Sequence, residues 1–97
     1  MPTREILDTF WKDWRKLTPA QRSLFLDAVR QFVDDLKRGQ GFRGGLRVKG
    51  VRGHAGVYEM TWAPDGRATF AYGTPPHAGD VHIIWRRIGD HGIFKNP

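Results

Sequence analysis

The stretch GVYEMTWAPDGRATFAY (residues 56–72) predicts a β-hairpin, and this hairpin decides the fold. Two runs with β-branched and aromatic residues flank the turn APDG, in which Gly66 is positioned for a bulge. If Ala63 pairs with Arg67, period-two geometry places six apolar side chains on one face: Tyr58, Met60, Trp62, Ala68, Phe70 and Tyr72. The opposite face carries Glu59, Thr61, Arg67 and Thr69. We expect this register because a slip of one residue would bury Glu59 and Arg67.

Residues 1–38 predict a hairpin of two helices. In the first, apolar residues recur at three- and four-residue steps: Ile6, Leu7, Phe10, Trp14 and Leu17. Residues 3–17 favour a helix, with a short strand over residues 5–7 as the alternative. The second helix begins with an N-cap, a proline at the first helical position and a capping-box partner: Thr18, Pro19 and Gln21. An apolar stripe follows, and Gly39 predicts the end of that helix.

Two further segments complete the predicted sheet, which spans residues 46–88. In LRVKGV (46–51), apolar and basic residues alternate, which predicts a strand. VHIIWRRI (81–88) is partly apolar on both faces and predicts an interior strand. Residues 89–97 form a tail. The sequence therefore predicts one α+β domain in which an N-terminal helical hairpin packs on one face of a small, mainly antiparallel sheet. The other face is polar, basic and open.

The composition narrows the classes of function. The net charge of +6 favours an anionic partner such as nucleic acid, the ribosome or an acidic protein segment. The absence of cysteine excludes disulfides and thiolate metal sites, and neither His54 nor His77 has a second ligand at zinc spacing. No apolar run approaches the roughly 18 residues of a membrane span, and the charged start MPTREILD has no signal-peptide core. We therefore expect a soluble, cytoplasmic protein with no metal, no cofactor and no membrane partner.

The predicted polar face carries groups that suit RNA cleavage. Arg47 and Lys49 are two apart on a predicted strand and so point the same way. Cleavage without a metal needs a base for the ribose 2′-hydroxyl, a cation for the phosphorane and an acid for the leaving 5′-oxygen. Glu59 and His91 offer the proton chemistry, and Arg67 offers the charge. The alternative is a solvated face on which Glu59 and Arg67 form a cross-strand ion pair.

Three segments, in this order, resemble the RelE/ParE superfamily of bacterial type II toxins. FWKDWRKLTPAQRSLFLDAV (10–29) is similar to the helical pair of that family. LRVKGVRGHAGVYEMTWAPDGRATFAYG (46–73) resembles its strand, its glycine-containing loop and a hairpin that leads to an arginine. VHIIWRRIGDHGIF (81–94) resembles the closing strand and the Gly-x-His tail of YafQ- and YoeB-like members. The order and spacing of the segments carry the resemblance.

The resemblance implies a ribosome-associated mRNA endonuclease (an mRNA interferase) that a cognate antitoxin neutralises by wrapping its basic surface. Arg67 falls where the family has a phosphate-stabilising arginine, His91 where relatives have a catalytic histidine, and Phe94 near a C-terminal aromatic. Glu59 and Thr61 stand where RelE itself has two catalytic lysines, and this is a departure from the family pattern. Glu59 is therefore expected to share the acid–base work with His91. The residues expected to bind RNA are Arg47, Lys49, Arg52, His54, Thr61, Arg86 and Phe94.

Alternatives remain open at two points. Arg86 and Arg87 are adjacent on the predicted strand and should point to opposite faces, so only one of them reaches the site. We favour Arg86. The alternative function is a non-enzymatic binder on the same fold. It would be an inhibitor of a protein such as gyrase, an RNA-binding module, or a degenerate member that binds only an antitoxin-like partner.

Overall fold

The computed structural model describes residues 2–97 and contains two α-helices beside a five-stranded sheet. In chain order the elements are β1 (Thr3–Ile6), α1 (Asp8–Trp14), α2 (Pro19–Arg38), β2 (Lys49–Gly50), β3 (Tyr58–Ala63), β4 (Gly66–Gly73) and β5 (His82–Gly89). Short 3-10 turns cover Gly44–Leu46 and His91–Lys95. The strands lie in the order β1-β5-β4-β3-β2, with β1 parallel to β5 and the other neighbours antiparallel. The predicted α+β class and its mainly antiparallel sheet are confirmed.

The first strand shows that the prediction of a helix over residues 3–17 was wrong at its start. β1 pairs along its whole length with β5, and the Leu7 N–H continues the pairing by donating to the Trp85 carbonyl oxygen at 3.1 Å. The helix α1 begins only at Asp8. Pairing with a strand far along the chain thus overrides the helical periodicity that Ile6 and Leu7 show locally.

Helix α2 begins and ends where the sequence predicts. The Gln21 N–H donates to Thr18 Oγ1 at 3.1 Å, and the Thr18 N–H donates to Gln21 Oε1 at 2.8 Å, which completes the capping box. The helix ends at Gly39, whose φ of 68° lies in the left-handed region that favours glycine. These two signals fix the length of the helix that covers the sheet.

An aromatic cluster joins both helices to the sheet. The Phe32 ring lies 5.0 Å from that of Phe70 and 5.3 Å from that of Trp85, measured between centroids. Phe25 and Phe10 pack on Trp85 at 5.5 and 6.3 Å. All five side chains are buried, so this face of the sheet is closed.

The β3–β4 hairpin keeps the predicted faces but not the predicted pairs. Ala63 pairs with Gly66, and Thr61 pairs with Arg67, so Trp62 is the extra residue of a bulge. Beyond the bulge each predicted partner is displaced by two residues, which leaves every side chain on its predicted side of the sheet. Gly66 permits this geometry, because a Cβ there would stand 2.6 Å from indole carbons of Trp62.

The strand predicted over residues 46–51 is reduced to Lys49–Gly50. Leu46 is buried at the end of a 3-10 turn, and Arg47 follows with a φ of 48° in the left-handed region. The chain therefore reaches the edge of the sheet only at Lys49. Arg47 and Lys49 do not share a strand face, contrary to the prediction.

Candidate functional site

The sheet surface that faces away from the helices carries the polar side chains, and we call it the polar face. Two cross-strand rows form its centre: Glu59–Thr69–Arg87 and Thr61–Arg67–Gly89. Diagonal neighbours on adjacent strands lie about 7–8 Å apart between Cα atoms. Glu59 and Arg67 are such neighbours across β3 and β4.

The tail begins at Asp90 and not at Gly89 as predicted, because Gly89 belongs to β5. It folds back over one end of the polar face. Ile93 is buried, and its Cγ2 lies 3.0 Å from the place that a Cβ of Gly89 would take. Asp90 begins the tail's turn, because its Oδ1 accepts a hydrogen bond from the Gly92 N–H at 2.7 Å. The polar face is therefore covered at its β5 end, which corrects the expectation that it is open throughout.

His91 is the first residue of the tail's turn and is exposed. Its ring meets the half-buried ring of Phe94 edge-on, with centroids 5.8 Å apart and planes at 71°. Gly89, two residues earlier, pairs with Arg67. His91 therefore lies just beyond the end of β5, close to the strand position of Arg67.

Arg67 is held by the hairpin turn. Its Nη1 donates to the carbonyl oxygens of Ala63 at 3.2 Å, Pro64 at 3.2 Å and Gly66 at 2.8 Å. Within residues 2–97 its Nε and Nη2 have no acceptor and its charge has no carboxylate partner. The guanidinium is therefore fixed in place with one edge available to a ligand.

Glu59 occupies a largely covered position on the same face. Its side chain is 12% exposed, and its Oε1 lies 4.0 Å from the Nζ of Lys49, its cross-strand neighbour. The ion pair is thus with Lys49 and not with Arg67. On the other side stands Thr69, which is fully buried and whose Oγ1 has no hydrogen-bond partner among the described residues.

A second bulge brings both arginines of β5 to the tail. Arg86 is the extra residue of β5 at this bulge, opposite Thr69. Its Nε and Nη2 donate to the main-chain oxygen of Pro97 at 3.3 and 3.2 Å. The Nη1 of Arg87 donates to the Asn96 oxygen at 3.0 Å. Because a bulge breaks the alternation of side chains, the prediction that these arginines point to opposite faces is wrong.

Asp13 of α1 anchors Arg87 and is a residue that sequence reasoning missed. The Nε and Nη2 of Arg87 donate to the Asp13 carboxylate at 2.6 and 3.1 Å, and the Ile88 N–H donates to the same group at 3.1 Å. The hydrogen bond to Asp13 raises the pKa of Arg87 above its ordinary value. The signal in the sequence was a carboxylate within an aromatic helical segment, between Trp11 and Trp14.

The remaining predicted RNA-binding residues lie at the β2 side of the sheet. Arg47 follows the first 3-10 turn, and Arg52 and His54 lie in the loop between β2 and β3; all three are exposed. Lys49 is the member of this segment that contacts the polar face, through Glu59. The structure therefore gathers Glu59, Thr61, Arg67 and Lys49, places His91, Phe94 and Arg86 at the tail, and leaves Arg47, Arg52 and His54 as a basic rim.

A cavity of about 720 Å³ opens at the end of the sheet, between the hairpin turn and the helices. Its walls come from the hairpin turn (residues 62–66), the connection between the helices with the start of α2, and residues 87–90, 92 and 93. Lys16, Asp65 and Asp90 contribute polar groups to its lining, and Leu17, Leu24 and Ile93 contribute apolar ones. A space of this size and mixed lining suits a small ligand or one nucleotide of a longer chain.

The histidines of the described residues are not arranged as a metal centre. No group of three or more His, Asp or Glu side chains within residues 2–97 could hold a metal ion. His82 is engaged with β1, where its Nδ1 lies 2.7 Å from Thr3 Oγ1 and its Nε2 lies 3.4 Å from Glu5 Oε1. In the same part of the chain, no helix is long and apolar enough to cross a membrane.

Comparison with known proteins identifies the fold. No family model matches the chain, and no curated protein matches it by sequence. Among solved structures it is similar to a chain of the E. coli DinJ–YafQ complex, with a TM-score of 0.64 and 13% identity over 95% of this chain and 96% of that one. It is also similar to a YoeB/ParE toxin from Agrobacterium tumefaciens, with a TM-score of 0.63 and 13% identity over 92% and 98% of the two chains. A RelB–RelE antitoxin–toxin complex from Methanococcus jannaschii gives a TM-score of 0.57 and 14% identity over 94% of each chain.

Proposed function

Because the chain has the fold of the RelE/ParE superfamily of toxins, we propose that it is the toxin of a type II toxin–antitoxin system and cleaves mRNA at the ribosome. The observation that carries this proposal is the exposed imidazole of His91 beside the strand position of Arg67, on a protein of net charge +6. A group that transfers protons near neutral pH and a fixed cation are two of the three requirements for RNA cleavage. Glu59 on the same face supplies the third.

In the proposed reaction the ribose 2′-hydroxyl attacks the adjacent phosphorus and the bond to the 5′-oxygen breaks. Glu59 takes the proton of the 2′-hydroxyl, and His91, in its imidazolium form, gives a proton to the departing 5′-oxygen. Arg67 stabilises the phosphorane through the guanidinium edge that the hairpin turn leaves available. The products are a 2′,3′-cyclic phosphate and a 5′-hydroxyl, and the scheme requires no metal ion.

The surrounding residues position the RNA in this proposal. Lys49 and Thr61 flank the site and contact phosphates, while Phe94 offers its ring to a base beside His91. The rim residues Arg47, Arg52 and His54 extend the basic surface toward β2. Such contacts are independent of base sequence, so they determine affinity and register rather than codon preference.

An antitoxin is the second proposed partner. The structures similar to this chain include a DinJ–YafQ toxin–antitoxin complex and a RelB–RelE antitoxin–toxin complex. We propose that an acidic protein segment covers the polar face of this chain and so excludes RNA. A net charge of +6 favours the approach of such a segment.

The proposal is tested by expressing the protein and mapping the ends of cellular transcripts by primer extension. We expect growth arrest with new 5′ ends in translated mRNA, and a loss of roughly 100-fold or more in cleavage for His91→Ala or Arg67→Ala. His77→Ala is the matched control, since His77 is exposed in the loop before β5. Intact transcripts under the wild-type protein would contradict the proposal.

Two observations favour a second candidate, a non-enzymatic binder on the same fold. Glu59 is only 12% exposed, and the Nη1 of Arg67 is occupied by three carbonyl oxygens. A face with a covered base binds RNA or a protein without cleaving RNA. Growth arrest accompanied by DNA-damage signalling and intact mRNA would favour this candidate.

A further inference from the structure

Arg86 holds an oxygen of its own chain in the way that arginine holds a phosphate. Its Nε and Nη2 converge on the main-chain oxygen of Pro97, at 3.3 and 3.2 Å. The Nε and Nη2 atoms form the edge of the guanidinium that binds phosphate and carboxylate oxygens. In the free protein the tail therefore occupies an edge that fits an anion.

No Asp or Glu side chain within residues 2–97 pairs with the charge of Arg86. Its neighbour Arg87 differs, because the Asp13 carboxylate neutralises it at 2.6 Å. Arg86 is also half-buried, so solvent compensates its charge less well than at an exposed position. The two donors share the single Pro97 oxygen, whereas a phosphate can offer each of them an oxygen of its own.

Thr69 adds an independent observation at the same place. Its side chain is fully buried, and its hydroxyl finds no partner among the described residues. Thr69 lies opposite the β5 bulge that carries Arg86, on the polar face. Buried hydroxyls are normally hydrogen-bonded, so the Thr69 hydroxyl is a donor that an oxygen bound at Arg86 could use.

From these observations we propose that Arg86 and Thr69 form a phosphate-binding site for RNA, which Asn96 and Pro97 cover in the free protein. An RNA phosphate displaces the Pro97 oxygen from Arg86 and accepts a hydrogen bond from the Thr69 hydroxyl. The tail competes with RNA for the guanidinium and so holds affinity below that of the uncovered site. The choice of RNA as ligand rests on the proposed function, because the site shares the polar face with Arg67.

A chain that ends at Lys95 tests this site by binding alone. The probe is a fluorescent oligonucleotide with 2′-deoxyribose, which lacks the attacking hydroxyl, and each protein is first checked for folding by NMR. We expect the shortened chain to bind roughly fivefold to tenfold more tightly than the full chain, with a salt slope steeper by about 0.7. The gain should disappear with Arg86→Gln and shrink with Thr69→Val. It should persist with Arg30→Gln, which removes an exposed charge of α2.

Three results would overturn the proposal. The first is unchanged or weaker binding by a folded shortened chain, which would make the tail a support and not a cover. The second is a gain that survives Arg86→Gln. The third is a shortened chain that prefers an acidic peptide to the oligonucleotide, which would assign the site to a protein partner. If the expected binding pattern is found but mRNA stays intact in cells, the site stands and the proposed nuclease activity fails.

Discussion

Asp13→Ala is expected to destabilise the end of the sheet that carries the tail (residues 90–97). The substitution removes the acceptors of two hydrogen bonds from Arg87, at 2.6 and 3.1 Å, and of one from the Ile88 N–H, at 3.1 Å. Loss of one partner of a buried ion pair costs about 3–5 kcal/mol. Because the Arg87 side chain is 26% exposed and partly solvated, we expect about 2–4 kcal/mol. In a domain of this size the melting temperature should fall by about 10–20 °C.

The assay is thermal and urea unfolding at neutral pH, followed by circular dichroism. The matched control is Asp27→Ala, which breaks the exposed pair with Arg30 at 3.2 Å and should cost about 0.5 kcal/mol or less. A double-mutant cycle with Arg87→Ala isolates the pair, since the second substitution should cost little once Asp13 is absent. The reasoning is refuted if Asp13→Ala is no more destabilising than Asp27→Ala.

Three further predictions concern stability. Thr18→Ala removes the N-cap acceptor of α2 and should cost about 1 kcal/mol in urea unfolding, whereas an unchanged midpoint would contradict the capping box. Gly66→Ala places a Cβ 2.6 Å from the Trp62 indole and should lower the free energy of unfolding by about 1–3 kcal/mol. An unchanged free energy of unfolding would contradict the bulge at Trp62. The hydrogen bonds from Arg43 lower the pKa of Asp35 from 3.8 to about 2. The stability that this pair supplies is therefore present above pH 3.8 and lost as the pH falls toward 2; acid titration of Asp35→Asn should lack that loss.

The hairpin and the second helix were predictable because their signals are local. The alternation over residues 56–72 placed each side chain on the correct face even though the pairs were displaced by two. The displacement came from the Trp62 bulge, which depends on how the indole packs over Gly66 and leaves no mark in the period of the sequence. Thr18 and Gly39 bounded α2 because capping is a property of a few adjacent residues.

The errors arose where distant parts of the chain meet. β1 forms because residues 3–6 find the edge of β5, whereas their apolar spacing alone continues the helical pattern of α1. Asp13 became part of the site only through Arg87, which lies on the last strand. The direction of Arg86 depended on a bulge opposite Thr69, which strand alternation does not foresee. Each of these features belongs to tertiary pairing, which a local pattern does not record.

We propose that His91 and Arg67 act together in cleaving mRNA. The most direct measurement is primer extension on a translated mRNA after induction, which compares the wild-type protein, His91→Ala and the control His77→Ala. We predict new 5′ ends for the wild type and the control, and at least a 100-fold reduction for a stably folded His91→Ala. Equal cleavage by wild type and His91→Ala, or full-length transcripts from all three, would contradict the claim.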